Sequence, residues 1–317
     1  MTDAERLDQL LADQERAIRL AFKDFVTTMG SGPVMDEVMA RLQNRDIEGA
    51  LAIVDSYVIR LADILPVISQ IVGTAAAAEL ANILPGNVMA ISFDPTLPRA
   101  AEMLRTSRLE LVQNFTAQQR RATQQALNRA YLEGLGTAET ARAFRNSIGL
   151  TSEQENWVAT YREQLRNRDR RALLRANRDR RFDPTVESSI ARNRPLTERQ
   201  IDAMADRYRA RTLAMRAETI ARTEGVHATS LAREEAVDQM IDTTGIVATR
   251  VIGTWHPTQD ARVRDFHASM LNQKRPRGTP FVDGHGNRLL YPGDRNAPSE
   301  TTINCRCGVT YSIAPNA

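Results

Sequence analysis

The chain of 317 residues has little cysteine: it contains Cys305 and Cys307, and one residue separates them. Cysteines this close are poor disulfide partners, so a secreted scaffold held together by disulfides is excluded. The first twenty residues carry charges throughout and lack the apolar run of a signal peptide. The most lipid-like stretch, residues 64–78, is too short to span a bilayer. We therefore expect a soluble protein made in a reducing cytoplasm.

Lysine is also scarce, because all but two of the 42 basic residues are arginine. Guanidinium groups match phosphates and carboxylates with a two-point geometry that ammonium groups lack. An arginine-biased genome explains the same composition without any function, and both explanations stay open here. The net charge of +3 conceals an asymmetry, since residues 1–90 carry −6 and the remainder carries +9.

Aromatic residues make up 5% of the chain, but a hydrophobic content of 42% suffices for a buried core and excludes a disordered chain. We predict a mainly α fold with elongated helical N-terminal and middle regions, followed by a small α+β C-terminal module. The expected domains are 1–90, an acidic helical arm, 91–244, an arginine-rich helical body, and 245–317, the module. Residues 64–84 are apolar on most helical faces, so they pack into a core or dock on another protein.

Local signals fix several element boundaries. Two prolines in residues 93–98 mark a break between the arm and the body. Thr137 is positioned to cap a helix that ends at Ser147, and Thr151 with a glutamine three residues later has the form of a capping box. A long helix should begin at Thr197 and reach about residue 240.

The last seventy residues predict short strands. Residues 246–255 are rich in β-branched side chains and bounded by turns, which is typical of a strand. Residues 281–282 and 288–291 flank a turn with several residues suited to positive φ, so they predict a hairpin. A final strand is expected over 307–313.

Residues 161–181 contain nine arginines and three acids. Such a segment can bind the phosphates of duplex DNA without sequence preference, or it can form a solvated helical face that pairs with the acidic arm of a neighbouring copy. Sequence-specific reading through residues 136–151, which imitate a helix-turn-helix turn, is not expected because the next helix opens with acids. The arginines assigned to a DNA-proximal basic face are Arg166, Arg168, Arg170, Arg171, Arg175 and Arg178.

A metal site is the second candidate. Residues i and i+2 of a strand share a face, so both cysteine sulfurs can reach one ion, and His267 can complete a set of three for tetrahedral zinc. Two free buried cysteines are the alternative interpretation. The candidates for a fourth ligand are His256, His285, Asp260 and Asp294.

An enzyme is not expected, and no catalytic residue is assigned. A cysteine nucleophile could use a histidine with Asp260 or Asp294. However, the sequence has no nucleophile elbow, phosphate loop or HExxH helix. No cofactor is expected beyond a structural zinc ion.

An ordered series of short motifs carries a family resemblance, strong after residue 218 and looser over residues 90–217. The motifs are Ile220-Ala221-Arg222-Thr223-Glu224, Trp255, Asp260-Ala261-Arg262-Val263-Arg264-Asp265-Phe266-His267, Pro280-Phe281, Gly286, Tyr291-Pro292-Gly293-Asp294 and Asn304-Cys305-Arg306-Cys307. This series resembles the phage head morphogenesis family, the minor head proteins similar to the Mu F protein.

The resemblance implies a bacteriophage minor capsid protein that acts in head morphogenesis. Such proteins lie in the virion head near the portal vertex in low copy number, after synthesis in the host cytoplasm, and assist DNA packaging or ejection. The implied partners are the portal protein, the major capsid protein or scaffold, and packaged double-stranded DNA, with no membrane. Many members look like zinc binders, but this chain has Arg264-x-x-His267 where they have Cys-x-x-Cys, and Thr302-Ile303 where they have histidine-proline.

Charged residues within the motifs are expected to be structural. We expect them to pair with one another and to attach the module to the long helix. The members of this structural charge cluster are Arg222, Glu224, Asp260, Arg262 and Arg264.

Two alternatives to the minor head protein stay open at this point. One is a zinc-dependent nucleic-acid-binding protein, and the other is a toxin-like enzyme that carries the same module. A toxin should append a catalytic domain after the Cys-x-Cys motif, and this sequence ends ten residues after Cys307. We therefore expect a structural protein.

Overall fold

The computed structural model describes residues 3–44, 46–62, 64–84 and 92–315. The prediction of a mainly α fold with a small α+β C-terminal module is confirmed. The helices are α1 (Asp3–Met29), α2 (Gly32–Gln43), α3 (Ile47–Ala62), α4 (Ile64–Ile83), α5 (Pro98–Leu132), α6 (Thr137–Ser147), α7 (Ser152–Arg166), α8 (Asp183–Ala191), α9 (Glu198–Thr244), α10 (Asp265–Ala268) and α11 (Ser299–Thr302). The strands are β1 (Val251–His256), β2 (Lys274–Pro276), β3 (Phe281–Val282), β4 (Arg288–Leu289) and β5 (Gly308–Ile313).

The chain forms two compact units, each made from separated segments. Unit 1 contains residues 1–21, 62–111 and 218–317, and unit 2 contains residues 22–61 and 112–217. These segments differ from the three consecutive domains expected from the sequence, and the expected boundary at residue 90 lies outside the described residues. No helix in the described ranges is both long and apolar enough to cross a membrane.

The local signals for helix termini are largely accurate. Thr151 Oγ1 accepts the backbone N–H of Gln154, whose side chain accepts the N–H of Thr151, so the capping box is confirmed. The long helix starts one residue after Thr197, whose hydroxyl accepts the N–H of Gln200. The N-cap of α6 is Gly136 instead of Thr137, because the Glu139 carboxylate accepts the Gly136 N–H and the helix begins one residue earlier.

The C-terminal sheet has the antiparallel order β2-β1-β5, with Trp255 opposite Val309 and Gly253 opposite Tyr311. The predicted hairpin is present as β3 and β4. The predicted strand over 246–255 is correct only from Val251, because residues 248–250 form a 3₁₀ turn that redirects the chain after α9. Trp255 is fully buried and forms the centre of the module core with neighbours that include Met270, Phe281, Leu289 and Val309.

The N-terminal half of α1 packs directly on the module within unit 1. Leu7 is buried against Gly308, where a Cβ atom would lie 2.2 Å from Leu7 Cδ2. Leu11 packs against the module core, and the Glu15 carboxylate lies 3.3 Å from the Arg222 guanidinium. These residues of the expected acidic arm therefore make internal contacts.

Helix α4 also contributes its apolar surface to a core of unit 1. Its C-terminal half buries Ala76, Ala77 and Leu80 against Val237 and Met240 of α9. A closely packed aromatic ring explains the glycine in this helix, since a Cβ on Gly73 would lie 2.6 Å from the Phe93 ring. Core packing thus accounts for this half of the apolar segment, whereas Val67 and Ile71 nearer its start are more than half exposed.

Unit 2 is held by aromatic packing and by buried arginines. Phe115 packs edge-on against Phe22 and Phe25, with ring centroids 5.8 and 5.4 Å away. The Arg216 guanidinium lies 4.8 Å from the Phe115 centroid, and burial lowers the pKa of this arginine to about 10. Arg209 donates to three carbonyls at the end of α6 and so satisfies acceptors that the helix leaves open.

The contact between Leu7 and Gly308 can be tested by double substitution. We expect Gly308→Ala to lower the free energy of unfolding by about 1–3 kcal/mol, because the new methyl group overlaps Leu7. In a Leu7→Ala background, Gly308→Ala should lower the free energy of unfolding only slightly, because the shorter side chain leaves room for the new methyl group. Urea denaturation of the four proteins measures both quantities.

Gly32→Ala serves as the control, because nothing lies within 4 Å of a Cβ at that position. It should change stability by no more than about 0.5 kcal/mol. An equal cost for Gly308→Ala in the presence and absence of the Leu7 side chain would contradict the packing of α1 on the module.

Candidate metal centre

His267 lies on α10, a four-residue helix between β1 and β2. Its backbone N–H donates to the Arg264 carbonyl at 2.9 Å, which fixes the first turn. The imidazole ring is 2% exposed and packs edge-on against Trp255, with centroids 6.3 Å apart, and against Phe266 at 4.9 Å. These rings set the plane of the imidazole inside the module core.

The two cysteines lie in the connection from α11 to β5. Asn304 adopts a φ of 57°, a left-handed conformation that asparagine tolerates well, and the chain reverses there. The Cys305 N–H then donates to the Thr302 carbonyl at 3.2 Å, and the Cys307 N–H approaches the Cys305 sulfur at 3.5 Å. The tight turn brings both thiols to one side of the chain.

The three side chains meet in one place, as the sequence predicted for a ligand set. His267 Nδ1 lies 3.9 Å from Cys305 Sγ and 3.5 Å from Cys307 Sγ, and all three candidate ligand atoms lie within 4.8 Å of one another. A tetrahedral zinc ion with ordinary bond lengths separates a sulfur ligand from a nitrogen ligand by about 3.6 Å. The spacing therefore suits zinc, with Nδ1 as the histidine ligand atom. We call these residues the His-Cys-Cys triad.

Burial and proximity make the two thiols unequal. The pKa of Cys305 lies well below its ordinary range because the Cys307 thiol donates a hydrogen bond to it, and His267 acts in the same direction. The pKa of Cys307 lies well above its ordinary range because it holds the shared proton beside Cys305 and is itself buried. A bound divalent cation would favour the thiolate form of both.

None of the four residues considered as a fourth ligand joins the triad within the described part of the chain. His256 Nε2 pairs with the Thr310 hydroxyl at 2.7 Å, and His285 stacks on Phe266 at 4.4 Å. The Asp294 carboxylate accepts backbone N–H groups of its own turn, including that of Leu290 at 2.9 Å. The triad therefore supplies three ligands, and a tetrahedral ion would need one ligand from elsewhere, such as water.

The surroundings of His267 differ from those of most zinc-bound histidines. Such rings usually donate their second N–H to a carboxylate or carbonyl. Here Nε2 is buried and no acceptor among the described residues bonds to it. The triad itself lines a small surface depression, together with Thr258, Arg262, Val263, Arg264, Asn304 and Arg306.

Asp260 holds the side chain of Arg306, the residue between the two cysteines. Its carboxylate binds the Arg306 guanidinium through two contacts of 2.5 and 2.7 Å and also accepts the Arg262 N–H at 2.9 Å. The Arg306 hydrogen bonds hold the pKa of Asp260 well below its ordinary value, with the Arg262 N–H adding to the effect. Asp260 is therefore a clamp on the Cys-x-Cys turn and not a ligand.

The charge cluster expected from the sequence is organised differently from the prediction. Asp260 contacts Arg262 within the set, and Arg222, Glu224, Asp260 and Arg264 each bind residues outside it. Glu224 lies 2.5 Å from Arg295. Arg222 contacts Glu15, Glu218 and Asn304, and Arg264 donates to the Ile303 carbonyl. These contacts still connect α9 to the module, through partners that the sequence did not reveal.

The expected DNA-proximal face is largely engaged within unit 2. The segment is not one helix, since α7 ends at Arg166 and two 3₁₀ turns, capped by Asp169 and Asp179, follow. The helical face that was the alternative to phosphate binding reaches only to Arg166, because aspartates cap the two turns that follow. Four of the six arginines bind internal acceptors: Arg166 with Glu198, Arg171 with Asp169, Arg175 with Gln164 and Arg178 with Asp183. Arg168 and Arg170 have no partner among the described residues.

Sequence reasoning missed Arg306, Arg295 and Glu15 as functional partners. Arg306 could have been found from the sequence, because it lies inside the Cys-x-Cys motif. Glu15 could not, because 207 positions separate it from its partner Arg222.

The chain matches no protein-family model, no curated protein and no solved structure.

Metal binding by the triad can be measured by elemental analysis of purified protein. We expect about one zinc ion per chain, and loss of most of it in His267→Gln, Cys305→Ser and Cys307→Ser, because each removes a ligand. His285→Gln is the matched control, since that ring is stacked on Phe266 outside the triad. Zinc far below one per chain in the unaltered protein, or equal loss in the control, would count against the site.

The clamp of Asp260 on Arg306 predicts a dependence of stability on pH. Because the pKa of Asp260 is lower in the folded protein than in the unfolded chain, where it is about 4, the contact stabilises above that pH and is lost as the pH falls. The stability difference between the protein and Asp260→Asn should be constant from pH 8 to 5 and shrink below about pH 4. Urea denaturation with chelator present gives this difference, and a gap that widened in acid would refute the clamp.

Proposed function

We propose that this chain is a bacteriophage minor head protein that acts in head morphogenesis at the portal vertex and assists DNA packaging or ejection. The observation that supports it is the ordered series of C-terminal motifs, whose members meet in space. Arg222 donates to the Asn304 side-chain carbonyl, the Asn304 N–H donates to the Thr223 hydroxyl, Asp260 binds Arg306, and His267 meets Cys305 and Cys307. The motif residues are those that build the module and attach it to α9.

A structural role suits the triad better than a catalytic one. Cys305 and Cys307 are 1% and 2% exposed, so a large substrate has little access to either sulfur. Their neighbours are core side chains, including Trp255 and Met270. A zinc ion held by the triad would tie α10 to the turn before β5 and stabilise a small domain, as structural zinc sites do.

The exposed face of α4 is the portion of the acidic region best suited to dock on the portal protein. Much of the apolar surface of α1 and α4 is buried in core packing, so the whole region cannot act as a free arm. Val67 and Ile71 are 56% and 52% exposed, and the adjoining Gln70 and Thr74 are also exposed and uncharged. Two exposed apolar side chains on an uncharged helical face can fit into a groove on a partner.

Docking through α4 can be tested by charge insertion. Val67→Asp/Ile71→Asp should reduce co-purification with the cognate portal protein by at least about tenfold, because two carboxylates would be desolvated in the interface. Leu132→Asp/Leu174→Asp, at positions that are 89% and 80% exposed in unit 2, is the matched control and should retain binding. Affinity capture with quantified portal protein measures the effect.

If the α4 variant captured as much portal protein as the unaltered chain, α4 would not be the docking surface. An equal loss of capture in both variants would show that the effect is not specific to α4.

The broader proposal is tested on purified virions. We expect the chain there in low copy number, with gold-labelled antibody at one vertex. Virions without the chain, or label spread over the whole shell, would overturn the assignment to the portal vertex.

A further inference from the structure

Helix α9 separates its charges by face in its N-terminal half. Glu198, Asp202 and Asp206 are spaced four residues apart and so follow one side of the helix. Glu198 lies 3.0 Å from Arg166, and Asp202 contacts Arg142 and Arg162. Glu198 and Asp202 are therefore directed at the other helices of unit 2 and are neutralised there.

A second row, one position later, carries the opposite charge. Arg199, Ala203, Arg207 and Arg211 also recur every four residues, about 100° around the helix from the acids. Arg199 and Ala203 line a shallow depression with Phe182 and Thr185, which places this row on the α8 side. Arg211 donates to the Arg178 carbonyl and contacts Asp179, while Arg199 and Arg207 stay exposed.

Three further exposed arginines adjoin this row along the chain. Arg180 belongs to the turn that Asp179 caps, next to the contact with Arg211. Arg192 and Arg194 lie in the loop that leads into α9, and the Arg194 N–H donates to the Ser189 carbonyl at 2.9 Å. We call Arg180, Arg192, Arg194, Arg199 and Arg207 the α9 arginine surface. Within the described residues none of the five guanidinium groups donates to an internal acceptor.

The acidic residues nearby do not cancel this charge. Asp183 pairs with Arg178 at 3.0 Å, and Asp206 lies near the buried Arg209. Glu187 on α8 and Asp206 on α9 are exposed carboxylates for which the described structure has no ion pair. Five cations therefore face solvent with two unpaired carboxylates in the same sequence range.

We propose that the α9 arginine surface binds the phosphate backbone of duplex DNA. Arg199 and Arg211 are twelve residues apart on one helix, or about 18 Å, and Arg180 adjoins the far end. Duplex DNA carries one charge per 1.7 Å or so, hence roughly ten over that length, about half of them on the side that faces a protein. Arg199, Arg207 and Arg180 belong to that length, and Arg192 and Arg194 in the loop before α9 add two exposed guanidinium groups, so the cations are close in number to those phosphates.

The chemistry favours a duplex over the other polyanions. Single strands need exposed aromatic rings for base stacking, but Tyr161 and Tyr208 are buried in this unit and stack on each other. An acidic protein partner usually adds an apolar anchor at the centre of its interface. Here the exposed side chains between the arginines include Gln200 and Ala203, which offer none. The arginine surface therefore suits recognition of the duplex phosphate backbone without reading of the base sequence.

The experiment measures binding of a fluorescent 24-bp duplex to the full chain by anisotropy from about 50 to 200 mM salt. Arg192→Gln/Arg194→Gln/Arg199→Gln/Arg207→Gln should weaken binding at least tenfold at low salt and flatten the slope of log affinity against log salt by about three to four. Arg16→Gln/Arg19→Gln/Arg121→Gln/Arg145→Gln removes the same charge from four other exposed arginines. That control should stay within about twofold.

Glu187→Gln supplies an independent readout, because removing this unpaired carboxylate should tighten duplex binding severalfold. Unchanged binding in the first variant, or an equal loss in the control, would overturn the proposal. Polyglutamate of equal charge that bound more tightly than the duplex would make the partner an acidic protein. If the fourfold variant fails to fold, Arg192→Gln/Arg194→Gln in the loop tests the same surface. Portal capture reads out a different surface, so failure here leaves the minor head proposal standing.

Discussion

The 47-residue helix α9 is the constraint on which both units depend. A helix this long, about 70 Å, with many charged residues gains most of its stability from what packs on it. In unit 2 it buries Ile201, Met204 and Tyr208. In unit 1 a series of alanines, including Ala232 and Ala236, lets neighbouring elements approach closely. Its charged residues must then find partners, as Glu234 does with Arg277 and Tyr311.

The module depends on that helix for its attachment and on short-range turns for its shape. Gly293 adopts a φ of 78° and approaches the backbone of His227 on α9, where a side chain would crowd the helix at 3.2 Å. The Gly293 carbonyl pairs with His227 Nδ1 at 3.0 Å. Burial lowers the pKa of His227 to about 3, so this ring is neutral and acts as a structural bridge. The residues of the His-Cys-Cys triad are likewise buried and positioned by turns, so they too stabilise the module.

Features encoded within a few residues could be predicted from the sequence. The Thr151 capping box, the start of α9 near Thr197 and the hairpin of β3 and β4 follow from local hydrogen bonding and turn chemistry. The meeting of His267 with the cysteines was also predictable from ligand type. Partners far apart in sequence were not, because any acid could pair with Arg222 and the choice of Glu15 depends on how α1 packs. Only the folded chain determines which charges are already neutralised.

That last point changes what an arginine-rich composition means. Arg209 serves backbone carbonyls, Arg306 holds the turn between two cysteines, and Arg178 fixes an aspartate at the start of α8. A guanidinium group engaged in this way stabilises the fold and has little left to offer a ligand, because its donors point inward. The density of arginine was highest in residues 161–181, yet the cations left without internal acceptors extend into the α8–α9 loop and α9 itself. The positive charge available for binding therefore comes from exposed arginines whose donors have no internal acceptor. Counting arginines along the sequence locates these residues only approximately.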